Sequence, residues 1–96
     1  MSFAKPHKHE HLEHRGNAFT LERGDSNRWV ITDLEGVVYG SIVMIERDGA
    51  DHDPVYNGYL AGQTDFLHFG SDWDGIARAL INDFVAEHTP PHILGR

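Results

Sequence analysis

The stretch SDWDGIARALINDFVAEH, residues 71–88, decides the fold. Trp73, Ile76, Ala77, Leu80 and Phe84 recur at steps of three and four, which places them along one side of a helix. Ile81, Val85 and the His88 ring widen that stripe. Ser71 is positioned to cap the first turn, with Asp74 three residues on completing a capping box. Asp72 and Asp74 lie where the helix dipole favours negative charge. Thr89-Pro90-Pro91 ends the helix, because proline restricts the residue before it and supplies no amide donor.

Everything upstream reads as sheet in search of this helix. Residues 18–23 (AFTLER) alternate, with Phe19 and Leu21 inward. A Gly24-Asp25-Ser26-Asn27 turn leads into residues 28–34 (RWVITDL), where Trp29 and Ile31 share one side and Val30 and Thr32 the other. Asp33-Leu34-Glu35-Gly36 is a hairpin turn with glycine at the left-handed position. Residues 37–46 (VVYGSIVMIE) are apolar on both sides, Val37, Tyr39, Val43 and Ile45 on one and Val38, Ile42 and Met44 on the other. Such a strand belongs in the middle of a sheet with both faces covered. After the acidic turn 47–54 (RDGADHDP), residues 55–61 resume strand character. The Asn57-Gly58 pair inside them reads as a bulge in preference to a turn. Residues 65–69 (DFLHF) form a last short strand. The expected fold is α+β, an antiparallel, meander-like sheet of four or five strands packed on one C-terminal helix.

The 96 residues are enough for a single core. Residues 1–16 (MSFAKPHKHEHLEHRG) have no clear period and read as a flexible, histidine-rich tail, leaving 17–96 as the folded domain. The chain has no cysteine, hence no disulfide, thiolate metal site or thiol nucleophile, which suits a cytoplasmic protein. No apolar run approaches the roughly 20 residues that span a bilayer, and the N-terminus lacks a secretory h-region. The net charge is −7. Apart from the tail, five arginines face thirteen carboxylates, a surface that repels phosphate backbones.

Four constellations could carry chemistry. His7, His9, His11 and His14 could offer imidazoles to Zn²⁺, Ni²⁺ or Cu²⁺, with His7, His9 and His11 on one face of a strand. A mobile tail, however, lacks the second-sphere partners of a dedicated site. Asp48, Asp51, His52 and Asp53 resemble hard-metal ligands but fail the EF-hand spacing, since Asp53 occupies the glycine position and Tyr59 the terminal glutamate position. His68 and Asp72 could form an acid–base pair at the helix start, although capping alone accounts for Asp72. Trp29, Tyr39, Tyr56 and Tyr59 could stack bases, but such platforms require a basic groove.

No serine stands in a nucleophile elbow and no glycine-rich phosphate loop precedes the helix. The expectation is a non-enzymatic protein-binding module without a cofactor. With one helix for a sheet greasy on both sides, the free side should pair with a second copy. The expected contact surface is Trp29, Tyr39, Val43, Tyr56 and Tyr59, rimmed by Asp48, Asp51 and Asp53. Two alternatives are a metal binder using the histidine tail, and an acidic inhibitor that imitates nucleic acid on a basic partner site.

Overall fold

A computed structural model describes residues 6–24, 27–47, 49 and 52–88. Six strands and one helix follow in order: β1 (His9–His14), β2 (Asn17–Arg23), β3 (Arg28–Asp33), β4 (Val38–Glu46), β5 (Val55–Leu60), β6 (His68–Gly70) and α1 (Trp73–His88). Every strand pairs antiparallel with its sequence neighbour, giving the order β1-β2-β3-β4-β5-β6. The α+β meander with one C-terminal helix is therefore as expected, with one strand more.

The extra strand comes from the segment read as a tail. His9–His14 pairs with β2 along its whole length, Leu12 opposite Phe19, and Leu12 is buried. Its only apolar inward residue is Leu12, so its alternation carried no hydrophobic signal. The hairpin is closed by Arg15 and Gly16, both at positive φ (56° and 81°), as a two-residue turn of the twist-matching kind requires. Ahead of β1, Pro6 is buried and the His7 carbonyl accepts a hydrogen bond from Trp29 Nε1 at 2.9 Å.

The core lies between one face of the sheet and α1. Leu12, Phe19, Leu21, Trp29, Ile31, Ile42 and Tyr56 form one cluster with Ile76, Ala77, Leu80 and Ile81 of the helix. The helix packs on β4, β5 and β6. It approaches closely because Gly40 and Gly58 present no side chains there. A β-carbon on Gly58 would stand 2.5 Å from Ile76 Cγ2 and 3.2 Å from Leu80 Cδ1. Gly58 is thus neither bulge nor turn: Ile42↔Gly58 and Val43↔Asn57 pair in unbroken register.

Register shifts lie in β4 instead, one against β5 between Met44 and Glu46 and one against β3 at Tyr39. Ile31 pairs with Gly40 and Thr32 with Val38, leaving Tyr39 as the extra residue. This bulge turns the Tyr39 ring to the helix side, 5.0 Å from Phe19 and 4.3 Å from Phe84. Tyr39 accordingly does not share the face of Val43, contrary to simple alternation.

The helix start also differs from expectation. Gly75 N donates to Asp72 Oδ1 at 3.1 Å and Ile76 N to the Asp72 carbonyl at 3.0 Å, so Asp72, not Ser71, is the cap. Gly75 leaves room for that carboxylate, since a β-carbon there would meet Asp72 Oδ2 at 2.7 Å. Asp74 pairs with Arg78 one turn on instead of closing a capping box. The expected proline stop, residues 89–91, lies outside the described residues, as do the C-terminal Ile93 and Leu94. The Asp33–Gly36 turn forms as read: Gly36 has φ 88° and its amide donates to the Asp33 carbonyl at 3.1 Å.

Candidate protein-binding face

The side of the sheet away from α1 has no covering element among the described residues. Strand pairing aligns its side chains in rows. His9, Glu22, Val30, Ser41 and Tyr59 form one row, and His11, Thr20, Thr32 and Val38 another. A third runs Arg28, Val43, Asn57 and Phe69 to the β6 margin.

The middle of this face satisfies its polar groups laterally. The Thr20 and Thr32 hydroxyls lie 3.0 Å apart, and Arg28 Nη1 donates to Ser41 Oγ at 2.7 Å. The Arg28 guanidinium also stands 5.6 Å from the Tyr59 ring centre. Val43 and Tyr59 are half-buried within this lattice.

The β6 margin is different. Phe66, Leu67 and Phe69 are 49 %, 54 % and 70 % exposed, and the two phenylalanine rings meet edge to face at 6.0 Å. Leu67 N donates to the Gly58 carbonyl at 2.8 Å, anchoring the approach to β6 on β5. His68 points the other way, toward the helix, where its Nε2 lies 2.6 Å from Asp83 Oδ2. Three large apolar residues within five positions cannot all be hidden by a short edge strand. That crowding in DFLHF was the available signal, and sequence reasoning passed over it.

Of the expected contact residues, three are displaced. Trp29 and Tyr56 are buried in the core cluster and Tyr39 is half-buried against it, away from the open face. Val43 and Tyr59 are on the open face; Asp53 precedes β5, and Asp48 and Asp51 fall outside the described residues. The reason is local. Trp29 and Tyr56 are the inward members of their strands, and the β4 bulge redirects Tyr39.

The histidines are dispersed by their strand. His9 and His11 project to the open face with rings 4.9 Å apart, while His7 Nδ1 meets Glu10 Oε2 at 2.7 Å before the strand begins. His14 faces inward: Nε2 donates to Asn82 Oδ1 at 2.9 Å, leaving Nδ1 to face Arg78 Nη1 at 3.3 Å. Arg78 also donates to the Glu13 carbonyl at 2.7 Å, tying α1 to β1. Among the described residues no three His, Asp or Glu side chains are grouped to hold a metal ion.

The described carboxylates are largely committed within the fold. Asp33 Oδ1 accepts from the Val37 and Glu35 amides at 3.0 and 2.9 Å, and Oδ2 from Tyr39 Oη at 3.3 Å. The Val37 amide above all, and then that of Glu35, hold the Asp33 carboxyl below the usual aspartate range against the cost of burial. Burial and the neighbouring Asp33 charge push the Tyr39 phenol up. The His7 amide holds the Glu10 carboxyl down. Asp72 caps α1, Asp74 meets Arg78 and Asp83 meets His68.

No helix among the described residues is long and apolar enough to cross a membrane. No protein-family model, curated protein or solved structure matches the chain.

Proposed function

We propose that the protein is a non-enzymatic, cytoplasmic protein-binding module that self-associates through the side of the sheet left open by the helix. The observation that carries this reading is the exposure of Phe66, Leu67 and Phe69 together at the border of a sheet face that no element covers among the described residues. Contiguous exposed apolar side chains on a small domain mark contact surfaces. The His68–Asp83 pair fastens β6 to α1 beside these residues. Sedimentation equilibrium across a concentration range tests the proposal. A mass rising to twice the chain weight by tens of micromolar is expected; a constant monomer would sink it.

A further inference from the structure

We propose that His9 and His11 of β1 form a surface site for a divalent first-row transition ion, with Glu22 of β2 as the carboxylate that orients His9 from behind. The site lies on the open face at the β1 margin and stands or falls independently of the self-association proposed above.

The strand gives these histidines what a loose tail would not. His9 and His11 are two positions apart on β1, so both project to the open face, and Glu22 stands directly opposite His9. Such positions are roughly 6.5–7 Å apart along a strand, yet the two ring centres close to 4.9 Å. Two imidazoles on one near-tetrahedral ion, with bonds of about 2.0–2.1 Å, hold their ring centres roughly 5 Å apart. The rings thus already stand at the separation that a shared ion requires. Behind them, His9 Nδ1 lies 3.1 Å from Glu22 Oε2. A carboxylate there keeps the proton on Nδ1 and leaves Nε2 its lone pair, the second-sphere arrangement of metal-bound histidines. His11 is exposed, so rotation of its ring brings a nitrogen to the ion without moving the core. Two protein ligands leave the remaining coordination positions to water.

Ligand chemistry selects the ion. Imidazole nitrogen suits Zn²⁺, Ni²⁺ and Cu²⁺, whereas Ca²⁺ and Mg²⁺ take oxygen ligands. Charge agrees, since Glu22 places a negative charge beside His9 in a chain of net charge −7. The neighbouring cations are directed elsewhere. Arg23 pairs with Trp29 and lies 5.8 Å from its ring centre, on the core side of the sheet. The Arg23 amide donates to the Lys8 carbonyl at 2.9 Å, which continues the β1–β2 register and sets Lys8 on that same side. Arg28 is engaged two strands away with Ser41 and Tyr59. The flanking histidines have other partners, His7 meeting Glu10 and His14 meeting Asn82 and Arg78.

The test is calorimetric titration of the full chain with Ni²⁺ and with Zn²⁺, and with Ca²⁺ as the hard-cation control. One transition ion per chain should bind at the tightest site, and Ca²⁺ should not bind there. His9→Ala and His11→Ala should each weaken that binding by about tenfold or more, and Glu22→Gln, which removes the orienting charge, by about tenfold. His7→Ala and His52→Ala should leave it unchanged. All five positions are exposed, so the fold should persist, and thermal melts of each variant without metal check this. Ni²⁺ should raise the melting temperature of the parent chain and not that of the His9 or His11 variants, because the paired strands assemble the site only in the folded state. Undiminished binding in either of those variants, an affinity that Glu22→Gln leaves unaltered, or no binding of either transition ion would overturn the site.

Discussion

Gly58 of β5 lies directly beneath Ile76 of α1, so close that a single added β-carbon would come within 2.5 Å of Ile76 Cγ2. The distance between helix and sheet is thus set by a missing side chain. It explains why a dipeptide with strong turn preference, Asn57-Gly58, sits inside a regular strand.

Gly58→Ala should cost about 1–3 kcal/mol through overpacking. For a chain of this size that lowers the melting temperature by roughly 4–8 °C per kcal/mol. Adding Ile76→Ala in the same chain should recover part of the loss despite removing core volume. Calorimetric melts of the two single variants and the double variant measure the coupling. Additive losses would contradict the contact.

At the helix start, Asp72→Ala should lose about 1 kcal/mol, the usual value of an N-cap. Ser71→Ala should be close to neutral, because Asp72 makes the capping contact. Denaturant midpoints of the two variants decide which residue caps the helix.

Leu12→Ala tests whether β1 belongs to the folded body. Leu12 is 5 % exposed within the core cluster, so its truncation should destabilise the protein by about 2–5 kcal/mol. A tail residue would show no change in a urea titration.

Asp33 makes the stability dependent on acid. Its carboxyl is held down in the fold by the Val37 and Glu35 amides, so the unfolded chain binds the proton more readily. The contribution is complete above the ordinary aspartate value of about 3.9 and disappears as the pH falls through the lower folded value. Asp33→Asn should therefore be less stable than the parent near neutrality, with the two converging in strong acid. Urea midpoints across that range measure the convergence, and a gap that persists in acid would exclude the mechanism.

The helix was legible because its core residues repeat with one period over four turns, a pattern that no local accident reproduces. Gly36 in the β3–β4 turn was legible for a comparable reason, since a tight hairpin needs a residue at positive φ. The contact surface was less so. Burial of an aromatic depends on which way its strand faces, and composition alone does not orient Trp29 or Tyr56. β1 was hidden because five of its six residues are histidine or glutamate, and pairing with β2 supplies the order that its side chains do not announce.

By itself, then, the sequence determined the class of fold, the helix and the hairpin turn between β3 and β4, because these follow from short-range periodicity and turn chemistry. Tertiary structure alone decided that Tyr39 turns inward at a bulge, that Gly58 makes room for α1 and that Asp83 becomes the partner of His68. Each depends on how distant segments meet, and no local pattern along the chain encodes the distance between a helix and the strands beneath it.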